Sequence, residues 1–222
     1  MLEWIDIPAG SVTLDGVSGA FEIAPFKIAR YTVTNAHFAE FIEDVGYKDD
    51  RWWDDLAHRA PSARASDWKE ADVPKLEVNW FEAVAFTRWM SDRSGLVVRL
   101  PTEWEWQWAA VGDSGWAYPY GSEFDAEKCN CKESGIGRTN AVTHYATNPT
   151  HFGVVDMAGN VWEWCLNEGV IPDNVQITGG ENRALRGGSW KNGQRHASAR
   201  FRSHRAARTR AFNISFRVMV EL

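Results

Sequence analysis

The 222-residue sequence predicts an α+β fold on three observations. Short apolar runs bounded by Gly and Pro open the chain, amphipathic segments with helix-capping residues follow, and the second half is punctuated by Gly, Asn, Thr and Ser without a helical period. Residues 3–7 and 21–33 alternate or run apolar between Pro8, Gly10, Gly16 and Gly19, and read as strands. Thr34 stands at an N-cap position before Phe38, Phe41, Ile42 and Val45 at helical spacing, with Gly46 as the C-cap, which predicts a helix over 35–45. Residues 48–75 mix charges, Pro61, Pro74 and three tryptophans with no period, and read as a long loop ordered by its own packing. Asn79 and Glu82 form a capping box for a second helix with Ala83, Phe86, Trp89 and Met90 as its buried stripe, ended by Gly95. A short strand over 96–100 follows. Thr102 and Glu105 then cap a third helix that stops at Gly112. Beyond it the pattern predicts only short apolar pieces around 152–155, 161–165, 184–187 and 214–220. No linker or repeat divides the chain, so a single domain over 1–222 is expected.

No window approaches the roughly 20 apolar residues of a membrane helix, and the start Met1-Leu-Glu-Trp4 lacks the basic residues and apolar run of a signal peptide. Three cysteines, Cys129, Cys131 and Cys165, are too few for a disulfide framework, and the CxC spacing alone does not complete a zinc site. A reduced, cytoplasmic protein without membrane contact is the expectation. The formal net charge of −6 conceals an asymmetry. From Glu181 to Leu222 ten basic residues face two acidic ones, a balance of +8, which leaves −14 on the rest.

Several stretches are too specific to be composition. Ile7-Pro-Ala-Gly10, Tyr31-Thr-Val-Thr-Asn35, Val78-Asn-Trp-Phe-Glu-Ala83 and Arg99-Leu-Pro-Thr-Glu-Trp-Glu-Trp106 come in order. Tyr118-Pro-Tyr-Gly121, Asp156-Met-Ala-Gly-Asn-Val-Trp-Glu-Trp164, Leu185-Arg-Gly-Gly-Ser-Trp190 and Phe216-Arg217 complete the set. From end to end this resembles the formylglycine-generating-enzyme (sulfatase-modifying factor) family. The resemblance implies a variant of the C-type lectin fold, α+β, with two to three helices, short strands and much irregular structure. The enzymes of that family oxidise a substrate cysteine with two cysteines placed shortly after Gly-Gly-Ser-Trp. Here Asn192 stands at the first of those positions and Ala197 or Ser198 at the second, and no cysteine follows Cys165. Without thiolates there is neither a soft ligand for copper nor a nucleophile, so no catalytic residue is assigned and no copper is expected. A related branch holds non-haem iron with histidines of a separate helical domain. The six histidines here show no paired helical spacing, so no iron is expected either, with His196 and His204 the pair to watch. The resemblance also implies a structural Ca²⁺ near Asn160 and Glu163, whose oxygens suit a hard cation. The competing reading has Asn160 in a turn and Glu163 paired with a tail arginine.

No acidic side chain lies between Ala184 and Val220. Arg186, Arg200, Arg202 and Arg217 match family positions and are expected to pair with body carboxylates. The pattern between these anchors resembles the C-terminal variable region of proteins diversified by diversity-generating retroelements, which share the lectin-like fold. That resemblance implies a non-catalytic protein with 191–215 as a variable ligand-binding segment. Asn192, Gln194, His196, Phe201, Ser203, His204, Thr209, Phe212 and Asn213 are its expected contacts, and Trp52, Trp53 and Trp68 are candidates to rim the face. The partner is a protein or other ligand, with acidic or phosphorylated groups favoured by the charge. Nucleic acid is not expected, because the body is acidic. The alternative is a cysteine-independent, metal-dependent oxidoreductase of the same fold.

Overall fold

The computed structural model describes residues 2–44 and 46–222. Strands β1 (Trp4–Ile7), β2 (Gly10–Val12), β3 (Phe21–Ile23) and β4 (Phe26–Ala29) open the chain. Helices α1 (Asn35–Glu43) and α2 (Trp80–Ser94), strand β5 (Val98–Arg99) and helix α3 (Glu103–Val111) follow. The second half supplies β6 (Trp162–Glu168), β7 (Asn182–Arg186), the single turn α4 (Gln194–Ala197), β8 (Ser203–Ala206), β9 (Ile214–Phe216) and β10 (Met219–Glu221). This is the α+β distribution expected, with helices concentrated before residue 112. No helix among the described residues is long and apolar enough to cross a membrane.

The caps sit where the sequence places them. Thr34, Asn79 and Thr102 each accept a bond from the backbone three residues on, and His37, Glu82 and Glu105 return it. Gly95 ends α2 in the left-handed region. The ends of α1 differ from expectation. The helix stops at Glu43 with Asp44 as its C-cap, Ile42 is exposed, and Val45 lies outside the described residues. Gly46 donates its N–H to the Phe41 carbonyl of the last turn at 3.1 Å and also packs against the Phe41 ring, where a Cβ would clash. Strand β2 begins at Gly10, where the sequence suggests only a turn, and 152–155, half-buried at Phe152 and Gly153 and buried at Val154 and Val155, forms no strand. The expected strand over 96–100 shortens to two residues. Helix α4 and strand β8 are both additions: four residues are too few to show a period, and Ser203–Ala206 is largely exposed, with no apolar alternation to reveal it.

The tail is structural throughout. Strand β10 pairs with both β4 and β5 inside a sheet of order β1-β4-β10-β5. A second sheet, β8-β7-β6-β9, takes both of its edge strands from the same tail, β9 running parallel to β6. The core below is dense in indole. Trp80, Trp106 and Trp164 are fully buried, and each ring N–H finds an acceptor: Cys165 O at 2.8 Å, Glu163 Oε2 at 2.9 Å and Val78 O at 3.0 Å. Trp52 and Trp53 also belong to this core rather than to any binding face.

Five tail arginines enter the body. Arg217 and Arg186 are completely buried, against Glu163 at 2.8 Å and Glu103 at 3.4 Å. Arg202 grips the same Glu103 with two bonds of 2.8 and 2.7 Å. Arg210 reaches Glu82, the capping residue of α2. Buried Arg183 lies 4.0 Å over the Trp80 ring and donates to the carbonyls of Leu166 and Gln176. Arg200 corrects the expected framework set. It is exposed and makes no ion pair among the described residues, whereas Arg183 and Arg210 take structural roles.

Two predictions follow from this packing. Arg217→Met leaves Glu163 charged and unpaired in the core and is expected to cost about 3–5 kcal/mol. Adding Glu163→Gln, which still accepts from Trp106, should recover much of that loss in urea titrations. The second concerns Lys75, which is buried and donates to the carbonyls of Arg64 and Leu76, both at 2.6 Å. Burial lowers its ammonium from the ordinary 10.5 to about 8. Between those pH values the unfolded chain keeps a proton that the folded chain has released, so stability rises with pH across the window. Wild type should gain on Lys75→Met by up to about 3 kcal/mol between pH 8 and 10.5, checked by urea unfolding of both proteins.

Candidate functional site

A cavity of about 210 Å³ opens on the second sheet, between β6, β8, the β9 end and the α4 turn. Six of the expected contacts meet in it: Asn192, His196, Phe201, Ser203, Thr209 and Asn213. Trp162, Leu185, Ala211 and Ile214 supply its apolar wall, and Arg205 stands at its mouth. The two-residue period of β8 sorts its side chains. Ser203 and Arg205 face the cavity, while His204 between them packs over Gly169. His196 and His204 therefore do not converge. Gly188, at φ +78°, lets the Gly-Gly turn pass under α4, since a Cβ there would lie 2.6 Å from the His196 carbonyl oxygen.

The floor is fixed by hydrogen bonds. Asn192 Oδ1 accepts from the Trp162 indole at 2.9 Å and from Ser189 Oγ at 2.6 Å, and Asn213 Nδ2 donates to the same Ser189 Oγ at 2.9 Å. The His196 ring lies between Trp162 and Phe201, at centroid distances of 6.1 and 4.5 Å. Other groups stay uncommitted among the described residues. Asn192 Nδ2, Asn213 Oδ1 and the hydroxyls of Ser203 and Thr209 take no side-chain partner, and His196 Nδ1 is buried without one. Such unmatched donors and acceptors, set among aromatic walls, are the furnishing of a ligand pocket.

The remaining expected contacts lie outside the cavity. Gln194 is exposed at the start of α4, and its backbone N–H is held by Glu133. Phe212 joins an aromatic shelf beside the cavity, 5.8 Å from Trp190, with Lys191 4.9 Å over its ring. Trp68, from the long loop, meets Trp190 edge-on at 5.7 Å and so extends the same shelf. Trp162 and Arg205 were not among the expected contacts; Arg205 shares the face of Ser203 only through the period of β8, a strand with no apolar alternation to reveal it.

Charge divides the tail in two. Arg183, Arg186, Arg202, Arg210 and Arg217 have carboxylate partners, whereas Lys191, Arg195, Arg200, Arg205 and Arg208 have none among the described residues. Arg195 stacks 5.3 Å over Phe201. Its neighbours Lys191, Arg205 and Arg208 are exposed on the same segment.

The donors at Asn160 and Glu163 do not fit a calcium ion. Both oxygens of Glu163 are bonded by Arg217, and one also by Trp106. Asn160 sits in a left-handed turn with its Oδ1 filled by Thr139, Asn140 and Asn130. The arginine-pair reading describes Glu163. No group of three or more His, Cys, Asp or Glu side chains is placed to hold a metal among the described residues. Asn192 is in the pocket floor, while Ala197 is buried beside Cys129 and Cys131.

Comparison with known proteins agrees with the motifs. A family model described as a sulfatase-modifying factor enzyme 1-like domain matches residues 2–222. The hercynine oxygenase of Mycobacterium tuberculosis is 30% identical across 76% of this chain and 46% of its own length. The formylglycine-generating enzyme of Thermomonospora curvata is 31% identical across 69% of this chain and 63% of its own. The chain thus spans about half the length of the first of these curated relatives. In structure, Treponema denticola variable protein 1 superposes with a TM-score of 0.72 at 19% identity, over 98% of this chain and 94% of that one, a likeness of fold.

The division of charge is directly testable. Arg195→Ser, Arg205→Ser and Arg208→Ser should each shift stability by no more than about 0.5 kcal/mol. Arg210→Ser strands buried Glu82 and should cost about 3 kcal/mol. Thermal and urea unfolding of the four variants makes the comparison.

Proposed function

The chain belongs to the sulfatase-modifying factor family, and on that footing we propose that it is a binding member, one that holds a ligand at the 191–215 face without cysteine chemistry. One observation carries this reading. The cavity is furnished with unmatched hydrogen-bonding groups and an unpaired arginine, yet the position where the family's enzymes carry their first thiol is Asn192, whose oxygen is committed to Trp162 and Ser189. Binding chemistry is present where nucleophilic chemistry is not.

The partner is a protein or other ligand offering an acidic or phosphorylated group. An anion approaching the cavity meets Arg205, with Arg195, Arg208 and Lys191 on the same exposed segment, and finds no carboxylate between Ala184 and Val220. Such a field raises the rate of encounter and penalises cationic competitors. The framework arginines alternate along the chain with the pocket side chains, so the latter can differ between variants while the buried pairs keep the backbone. That is the arrangement a diversified binder needs. The likeness of fold to a Treponema denticola variable protein is consistent with it.

A second reading, a cysteine-independent oxidoreductase, is favoured by the hercynine oxygenase relatives. Elemental analysis of the purified protein separates the two. Stoichiometric iron or copper with turnover supports the enzyme and overturns the binder.

Two results are expected under the binding reading. DNA downstream of the gene should carry a near-copy of its 3′ end differing chiefly at adenines, beside a reverse transcriptase gene; no such copy overturns the diversified form of the proposal. On arrays of phosphorylated and unphosphorylated peptides, Thr209→Trp, which fills the cavity, should weaken capture at least tenfold while leaving the melting temperature unchanged. Undiminished capture by that variant removes the cavity from the reading.

A further inference from the structure

We propose that Cys129 and Cys131 are a dithiol that a low-molecular-weight disulfide oxidises to an internal Cys129–Cys131 disulfide, altering the pocket wall beside them. Their sulfurs lie 3.7 Å apart, both residues are buried, and neither is bonded to another cysteine. They face each other under Tyr118, Tyr120 and Phe124, with the Tyr120 hydroxyl 3.4 Å from Cys129 Sγ. Bond formation brings the sulfurs to about 2.05 Å, a contraction of roughly 1.6 Å. Cys165 is the internal contrast: it is equally buried, but its nearest polar contact is the Glu163 carbonyl, and no thiol faces it.

The chemistry balances as two exchanges. Cys131 abuts the exposed turn at Lys132–Glu133 and attacks first. Its thiolate bonds one sulfur of the small disulfide and releases one thiol, which takes up the proton that Cys131 lost. Cys129, deprotonated in turn, attacks the Cys131 sulfur and expels the second small thiol. Two protein thiols are oxidised, one external disulfide is reduced, and two protons pass to the products. Burial pushes the Cys129 thiol up to about 12 and raises Cys131 as well, so the pair rests in the dithiol form and reacts when the tyrosine cover opens.

The contraction has one direct outlet. Asn130, between the cysteines, is clamped: its carbonyl accepts from Asn160 N at 2.6 Å, and only Gly159 fits against it, a Cβ there lying 2.1 Å from the same oxygen. The following turn is attached to the pocket instead. Lys132 N donates to Asn192 O at 2.9 Å, and Glu133 Oε1 accepts from Gln194 N at 3.0 Å. Displacement of 131–133 therefore loads onto 192–194. Any effect on ligand affinity rests on the binding reading above; the thiol chemistry and its structural coupling do not.

The test uses ligand-free full chain and oxidised glutathione, in native buffer and again in urea below the unfolding transition. The expected product is lighter by two hydrogens, yields a Cys129–Cys131 disulfide peptide, and keeps Cys165 as a free thiol. Cys131→Ser should give no internal disulfide. Hydrogen exchange at the Lys132 and Gln194 amides should quicken at least tenfold on oxidation and revert with dithiothreitol. Three free thiols under both conditions overturn the dithiol. A formed disulfide with unchanged exchange overturns its coupling to the pocket.

Discussion

Arg217 is the group on which the second sheet and its cavity depend. Its five N–H donors all find acceptors: both Glu163 oxygens and the carbonyls of Ala29, Arg30 and Val155. A guanidinium so completely satisfied can be buried with little penalty, whereas buried Arg183 and Arg186 each keep an unpartnered Nε–H. The consequence is topological. Glu163 lies on β6, Ala29 ends β4, and Arg217 joins β9 to β10, so one side chain fixes where the last two strands part into different sheets. That separation helps set the edge at Ile214 against which the cavity forms.

Glu103 plays a related part on the other side. It receives Arg186 from β7 and Arg202 from the segment entering β8, and Asn167 on β6 holds its Oε1. The stretch between these arginines, which carries Asn192, His196 and Phe201, is anchored at both ends by one carboxylate. Variation inside the stretch then leaves the anchors untouched. The +8 tail is accordingly two populations of cation, one neutralised within the fold and one left to the solvent face. Only the second is free to meet an anion under the binding reading.

Local chemistry was the most legible part of the sequence. Capping boxes are read from residues three apart, and all three expected helix starts are in place. Partner choice was less legible, because a charge pattern names the ions but not their mates. Glu82 was read as a cap, and it is one, yet it also accepts Arg210 from across the chain. Arg200 matched a framework position and points to solvent. Asn160 and Glu163 likewise are near in sequence, but their side-chain oxygens face different donors, Thr139, Asn140 and Asn130 for one and Arg217 for the other. The pocket was half legible. Six expected residues meet there, whereas the alternation that turns His204 away from it depends on β8, a strand without an apolar signature.

The thiol-free pocket has a hydrogen-bonded floor of its own. Asn192 is integral to the floor, since its carbonyl oxygen joins the Trp162 indole to the Ser189 hydroxyl, and Ser189 in turn holds Asn213. A cysteine at 192 would offer a weak sulfur acceptor in place of that oxygen and would leave the indole N–H of a buried tryptophan poorly matched. At the second thiol position Ala197 is buried against Cys129 and Cys131, while Ser198, the alternative, donates its hydroxyl to the Ala117 carbonyl at 3.0 Å. Among the described residues, the groups left without side-chain partners are Asn192 Nδ2, His196 Nδ1, Asn213 Oδ1 and the hydroxyls of Ser203 and Thr209, and their residues all line the cavity. The hydrogen-bonding capacity left over at the site is open to the cavity.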